Sequence, residues 1–169
     1  ESRIISELLL QHPDDASWHE AIVSHNLLQK NSVHSAKRMA STLRKRVEPM
    51  GQDFWTALLQ VSDDLAKQML LLATLCQSPV LGDFMATVVS DARRMYRESL
   101  RSDDWQDFIL SRQRVVDGLE QFSASSIQKM GNNVFKILAD VGYLESGRSK
   151  KLQNIYLLPE MREWSMRLG

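Results

Sequence analysis

One segment in the first third of the chain carries charge of a single sign. Residues 21–47 contain six basic residues and no acidic residue. At 100° per residue, a helix from Ser32 to about Val47 gathers its apolar residues in one arc and its basic residues on the opposite side. The side chains expected to contact phosphate are Lys37, Arg38, Arg44 and Lys45. Because the segment holds no carboxylate at i±4 to neutralise them, the pattern predicts a phosphate-binding face, with an ordinary hydrated helix surface as the alternative.

A second polar face is predicted near the C-terminus, on a helix from about Ser125 to Val141. Amide and lysine side chains pair with base edges, and they collect on one side of this helix. They are Gln128, Lys129, Asn132, Asn133 and Lys136, and a basic loop with Arg148, Lys150 and Lys151 follows. This order is typical of a recognition helix followed by a basic wing on the DNA backbone. A protein-docking module or a merely hydrated helix face is the alternative.

A run of arginines in the middle of the chain is predicted to form salt bridges within the protein. The basic residues are Arg93, Arg94, Arg97 and Arg101, and the acidic residues around them are Asp91, Glu98, Asp103 and Asp104. Opposite charges at this spacing on helices pair readily, so we predict salt bridges rather than phosphate contacts. The same holds for Arg112 and Arg114, which stand near Asp117.

The residue types that carry catalysis or hold metals are scarce and poorly spaced. The four histidines, His12, His19, His25 and His34, include no i, i+4 pair of a helical metal site. The single cysteine, Cys76, lies in an apolar run and is predicted to be buried. No P-loop, GxGxxG or GxSxG motif is present. We therefore predict no catalytic residue, no metal, no cofactor and no small-molecule substrate, and an enzyme is the least expected class.

Helices must position these side chains. Capping residues start them at Asp14 or Asp15, at Asn31 or Ser32, at Ser62, at Ser102 and at Ser123 or Ser125. The predicted helices include 81–100 and one from Ser102 to near Glu120. Residues 143–158 contain strand formers around a loop with Gly147, which predicts a short β-hairpin, and Pro159 opens a last helix.

Composition supports one folded domain. The 169 residues are 43% hydrophobic and 25% charged, with 21 basic and 21 acidic side chains that give a formal net charge of zero. Charge is nonetheless segregated, because residues 1–20 carry a net −4 and residues 128–151 hold five bases against two acids. A single cysteine predicts a cytoplasmic protein, and no apolar run approaches the ~20 residues of a membrane span, so no membrane partner is expected.

Three stretches resemble the BrxA family, a small non-enzymatic component of the BREX bacterial phage-defence system. They are SRIISELLLQ, HNLLQKNSVHSAKRMASTLRKRV, and SSIQKMGNNVFKILADVGYLE with IYLLPEMREW. The resemblance implies a mainly α fold, with a compact helical bundle similar to that of the antitermination protein NusB. It also implies association with double-stranded DNA and with other BREX proteins.

Helix patterns and resemblance together predict one domain over 1–169, with a helical bundle over 1–120 and a winged-helix-like part over 121–169. The main hypothesis is a non-enzymatic protein that binds double-stranded DNA largely through phosphates. An interaction module or scaffold of the defence complex is the first alternative. RNA binding, suggested by the NusB-like architecture, is the second.

Overall fold

Helices form most of the protein, which is described here from a computed structural model covering residues 1–113, 116 and 118–168, without the side chain of Leu168. The α-helices are α1 (Ser2–Leu10), α2 (Asp15–His19), α3 (Val33–Val47), α4 (Gln52–Gln60), α5 (Asp63–Gln77), α6 (Pro79–Phe84), α7 (Ser90–Arg94), α8 (Asp103–Arg112), α9 (Ala124–Asp140) and α10 (Glu160–Leu168). Two π-helical turns, Glu20–Ser24 and Met85–Val89, extend α2 and α6. The prediction of a mainly α fold is confirmed.

Capping chemistry sets the ends of the helix that carries the first basic face. The Ser32 side chain accepts a hydrogen bond from the Ser35 amide at 3.2 Å, which satisfies a donor of the first turn of α3. The 3₁₀ turn Glu48–Met50 follows α3, and Gly51, with φ 84°, starts the next element in a conformation that favours glycine.

Contacts divide the chain into two compact units, and the first comprises Glu1–Gln77 with the segment from Leu158 onward. In its core, Ile5, Val47, Phe54 and Leu58 are fully buried, so α1, α3 and α4 share one apolar interior. Burying such a side chain contributes about 1.5–3 kcal/mol each. The α10 helix closes the unit through an edge-on contact of Trp164 with Phe54, at 5.4 Å between ring centroids.

The second unit, Ser78–Leu157, is built around aromatic rings. Phe84 lies edge-on to Trp105 and Phe108, both at 5.3 Å, and to Phe135 at 6.2 Å. These rings join α6, α8 and α9 into one core. Its boundaries differ from the predicted division at residue 120, and the prediction of a single domain stays a prediction.

Close packing of α8 on α9 depends on Gly131. A Cβ atom at this position would lie 2.5 Å from Cδ1 of Trp105, whose ring is 2% exposed. We expect Gly131→Ala to lower the free energy of unfolding by about 1–3 kcal/mol, because the overlap outweighs the gain in helix propensity. Urea denaturation measures the effect. Asn133→Ala, at an exposed position of α9, is the control and is expected to be neutral or slightly stabilising.

The β-hairpin predicted over residues 143–158 is not formed. Isolated antiparallel bridges join Leu144 to Leu152 and Ser99 to Lys151, and no strand occurs in the described part of the chain. Pairing stops after one bridge because α9 ends directly before it and the following residues close a turn, with the Lys150 amide donating to Ser146 O at 3.0 Å.

Three other local predictions need correction. The helix expected over 81–100 ends at Arg94, and the one expected to reach Glu120 ends at Arg112. Cys76 is exposed rather than buried, since it lies at the last turn of α5. Asp117, predicted to pair with Arg112 and Arg114, lies outside the described residues, as does Arg114.

Candidate nucleic-acid interface

The first basic face lies on α3, as the sequence predicts. Ala36, Ala40, Leu43 and Val47 are buried, while Lys37, Arg38 and Lys45 are exposed on the other side. Among the residues that the structure describes, none forms an ion pair with these three cations. Three uncompensated positive charges therefore project from one helix side.

Arg44 behaves differently from its neighbours. Its guanidinium pairs with Glu48 at 2.8 Å and lies 4.5 Å above the ring of Trp18. The hydrogen bond to Glu48 raises the pKa of Arg44 further above its ordinary value. The expectation that no carboxylate stands at i±4 is wrong here, because the helical path continues past Val47 into the turn that holds Glu48. The Arg44 side chain is therefore held in place and its charge is partly neutralised, unlike the charges of Lys37, Arg38 and Lys45.

The second polar face, on α9, is exposed along its whole predicted length. Its members Gln128, Lys129, Asn132, Asn133 and Lys136 are all exposed. Two of them already use their amides: Gln128 accepts from Gln106 at 2.8 Å and donates to Asn132 at 3.3 Å. The side chains of Lys129, Asn133 and Lys136 make no hydrogen bond or ion pair with any residue in the described ranges.

The basic loop 145–151 packs against this helix within the second unit. Gly147 lies over the backbone of Lys136, where an added Cβ would be 3.6 Å from the Lys136 nitrogen. Lys150 Nζ lies 5.1 Å from the ring centroid of Phe135 on the same helix. Arg148 and Lys151 are exposed. The structure thus brings the loop cations beside the C-terminal half of α9.

A turn that the sequence did not indicate supports the loop from the other side. The Leu100 amide donates to Lys150 O at 3.0 Å, and the Leu152 amide donates to Glu98 O at 2.9 Å. The turn presents Tyr96, which is 93% exposed and has φ 54°. A left-handed tyrosine has no sequence signature, so only the structure could identify it.

The arginine series mostly forms the predicted salt bridges. Arg97 contacts Asp104 at 2.7 Å, Arg94 contacts Asp91 at 3.3 Å, and Arg101 contacts Asp103 at 3.5 Å. The exception is Arg93, which donates to the Gln153 carbonyl at 2.5 Å and lies 5.4 Å from the Tyr143 ring. These residues organise the turn beside the basic loop.

Arg112, predicted to lie near Asp117, pairs with Asp83 of α6. Its Nε and NH2 donate to the two carboxylate oxygens at 2.5 and 2.9 Å. The hydrogen bond from Arg112 lowers the pKa of Asp83, and the same contact raises the pKa of Arg112. This pair joins α6 to α8.

Two kinds of site are absent from the described residues. Within residues 1–113, 116 and 118–168, no group of three or more His, Cys, Asp or Glu side chains is placed to hold a metal ion. In the same ranges no single helix combines the length and apolar character of a membrane span, and α5 reaches them only when taken together with the next helical stretch, Pro79–Arg94.

Known proteins resemble this chain along its whole length. The family model described as BrxA matches residues 1–169. A protein of Escherichia coli O9:H4 (strain HS) named "BREX protein BrxA" is 44% identical over 169 residues, which are 100% of this chain and 79% of that protein. A protein of the same name from Paramagnetospirillum magneticum is 32% identical over 164 residues, 97% and 82% of the two chains.

A solved structure has a similar fold. It is titled "Crystal structure of an uncharacterized protein from Magnetospirillum magneticum" and matches with a TM-score of 0.85 at 29% identity, over 99% of this chain and 87% of that one. The family model matches the whole chain and the named relatives are 44% and 32% identical, so the chain belongs to the BrxA family.

Proposed function

We propose that this protein is a non-enzymatic, double-stranded-DNA-binding component of a BREX phage-defence system. Two relatives that match nearly the whole chain are named BREX proteins. Their names support a role in a BREX system and suggest other BREX proteins as partners. The observation that carries DNA binding is a set of exposed cations without carboxylate partners in the described part of the chain. Those on the two predicted faces and the basic loop are Lys37, Arg38 and Lys45 in the first unit, and Lys129, Lys136, Arg148 and Lys151 in the second.

In this proposal the phosphates make most of the contacts. Exposed lysines are point charges that suit phosphate oxygens but discriminate poorly between bases. Gln128 and Asn132 hold each other's amides, so direct reading of base edges requires that they first exchange partners. The predicted wing is not formed as a β-hairpin, and in this proposal the basic loop 145–151 would contact the DNA backbone instead. The NusB-like character of the bundle stays a prediction. Because phosphates make most of the contacts, we expect DNA binding to be largely independent of the base sequence.

Salt dependence tests the proposal. If about five phosphates are neutralised, log K against log salt should fall with a slope of about −4 to −5, because each contact releases condensed counterions. Fluorescence anisotropy of a labelled duplex between low and moderate salt measures the slope. A response that is flat across this range contradicts a phosphate-based interface.

A parallel titration separates the alternatives. Single-stranded RNA in place of duplex DNA tests the RNA hypothesis, since unpaired bases and 2′-hydroxyls are recognised differently from a duplex backbone. Capture of other BREX proteins that survives nuclease treatment, without any shift of duplex DNA, would favour an interaction module instead.

A further inference from the structure

A cavity of about 400 Å³ opens beside the basic side of α3, within the first unit. This volume lies in the range of ligand pockets, ≈ 300–1,000 Å³. It is lined by Trp18, His19, Ile22, Val23, Lys37, Ser41, Arg44, Lys45 and Glu48. No sequence motif indicates it, because its two sides come from helices separated by a loop.

The interior of the cavity is mostly apolar, and Trp18 and Arg44 both line it. Ile22 is buried and Val23 is half-buried, and both belong to the π-helical turn after α2. Such turns are rare and frequently occur at functional sites. The guanidinium carbon of Arg44 lies 4.5 Å from the centroid of the Trp18 ring, and Arg44 Nε donates a hydrogen bond to Glu48. Flat side chains of this kind, aromatic rings and arginine planes, are the usual partners of unstacked bases.

The mouth of the cavity is cationic. Lys37 and Lys45 are exposed, and neither pairs with a carboxylate among the described residues. The lining carboxylate, Glu48, is already matched by Arg44. A ligand that complements the cavity therefore has a planar apolar body and one or two negative charges.

We propose that this cavity holds one unpaired nucleotide, with its base inside against the Trp18–Arg44 wall and its phosphate between Lys37 and Lys45. The inference rests on the proposed function in one respect, because the two lysines would also contact duplex phosphates. It adds recognition of an unstacked base, which a duplex does not offer. A strand with unpaired bases, such as a melted or single-stranded segment, is the ligand that uses the cavity fully.

Blocking the cavity without changing its charge separates this inference from duplex binding. Ser41 is exposed and lines the cavity, so Ser41→Phe fills the mouth. Thr42→Phe adds the same ring one residue along α3, at an exposed position outside the lining, and is the matched control. We expect Ser41→Phe to weaken binding of an oligo(dT) single strand about fivefold or more while duplex affinity stays within about twofold of wild type.

Small probes give an independent readout. Deoxyadenosine 5′-monophosphate should displace the oligo(dT) strand about tenfold better than deoxyribose 5-phosphate, because only the former carries a base to stack. Equal displacement by the two probes, or equal effects of Ser41→Phe and Thr42→Phe, overturns the nucleotide cavity. Loss of oligo(dT) binding in Ser41→Phe supports it even if the wild type fails to bind duplex DNA, which would overturn the proposed function alone.

Discussion

Replacing Lys37 and Lys45 together by glutamate is expected to lower the affinity for duplex DNA about tenfold or more at moderate salt. Both side chains are exposed and lack carboxylate partners in the described part of the chain, so their full charge faces solvent. The double reversal removes two phosphate contacts and adds two repulsive charges. The salt slope should therefore shrink by about 2. Anisotropy titrations of one duplex at several salt concentrations measure both quantities.

A matched variant controls for the change in net charge. Lys67→Glu with Arg162→Glu also changes the net charge by −4, within the same unit but outside α3. Lys67 contacts Asp64 at 3.4 Å, and Arg162 is an exposed residue of α10. The control is expected to reduce affinity only slightly. An equal loss in both variants means that bulk charge alone drives binding, and no loss in the first removes α3 from the interface.

Helical periodicity was enough to predict both polar faces. The buried residues of α3 repeat every three to four positions, and a charged side chain opposite them has only solvent to face. The N-terminal cap at Ser32 has the predicted residue type because a serine oxygen there satisfies an otherwise unpaired amide. Arg44 shows the limit of this reasoning, since its partner Glu48 lies beyond the helix end and depends on how the chain continues.

The core side of α9 was predicted less well. At 100° per residue, the apolar residues Ile127, Met130, Ile137 and Val141 fall on the same side of this helix as Val134 and Leu138. The buried residues are instead Gly131, Val134, Phe135 and Leu138. Trp105 of α8 causes this rotation, because its ring needs the space that only a glycine leaves open. A single sequence shows the apolar residues of one helix but not the shape of the helix packed against it.

The sequence alone does not predict the loop conformations or the cavity, for a related reason. The turn carrying Tyr96 and the loop carrying Lys150 both contain a left-handed residue that is not glycine. Their conformations are set by hydrogen bonds between segments about fifty residues apart. The cavity next to Trp18 likewise depends on how a π-helical turn meets α3.

Asp104→Ala is expected to lower the free energy of unfolding by about 2–3 kcal/mol. Asp104 is 7% exposed and accepts three hydrogen bonds: two from Arg97, at 2.7 and 3.3 Å, and one from the Arg101 amide, at 2.7 Å. Removing the carboxylate leaves a partly buried guanidinium and a backbone donor without their acceptor. Urea denaturation gives the change in the free energy of unfolding.

Asp103→Ala is the matched control, one residue earlier in the first turn of α8. Asp103 is 60% exposed and contacts Arg101 at 3.5 Å, so its loss should cost no more than about 0.5 kcal/mol. Both variants remove one acidic side chain near the same helix N-terminus, and the helix-dipole contribution therefore cancels in the comparison. Equal destabilisation by the two substitutions would show that the buried contacts of Asp104 contribute nothing beyond that dipole effect.

Loss of the Asp104 carboxylate is also expected to affect the candidate interface, because the turn that it stabilises pairs with the basic loop through backbone hydrogen bonds. Arg97 and Arg101 flank the residues whose backbone pairs with the basic loop, through the amides of Leu100 and Leu152. Loss of Asp104 should therefore accelerate hydrogen exchange of these two amides, whereas loss of Asp103 should leave their exchange unchanged. If Asp104→Ala destabilises the protein but leaves both amides as protected as in the wild type, the turn does not hold the loop. The loop cations would then owe their position to α9 alone, through the contacts of Gly147 and Lys150.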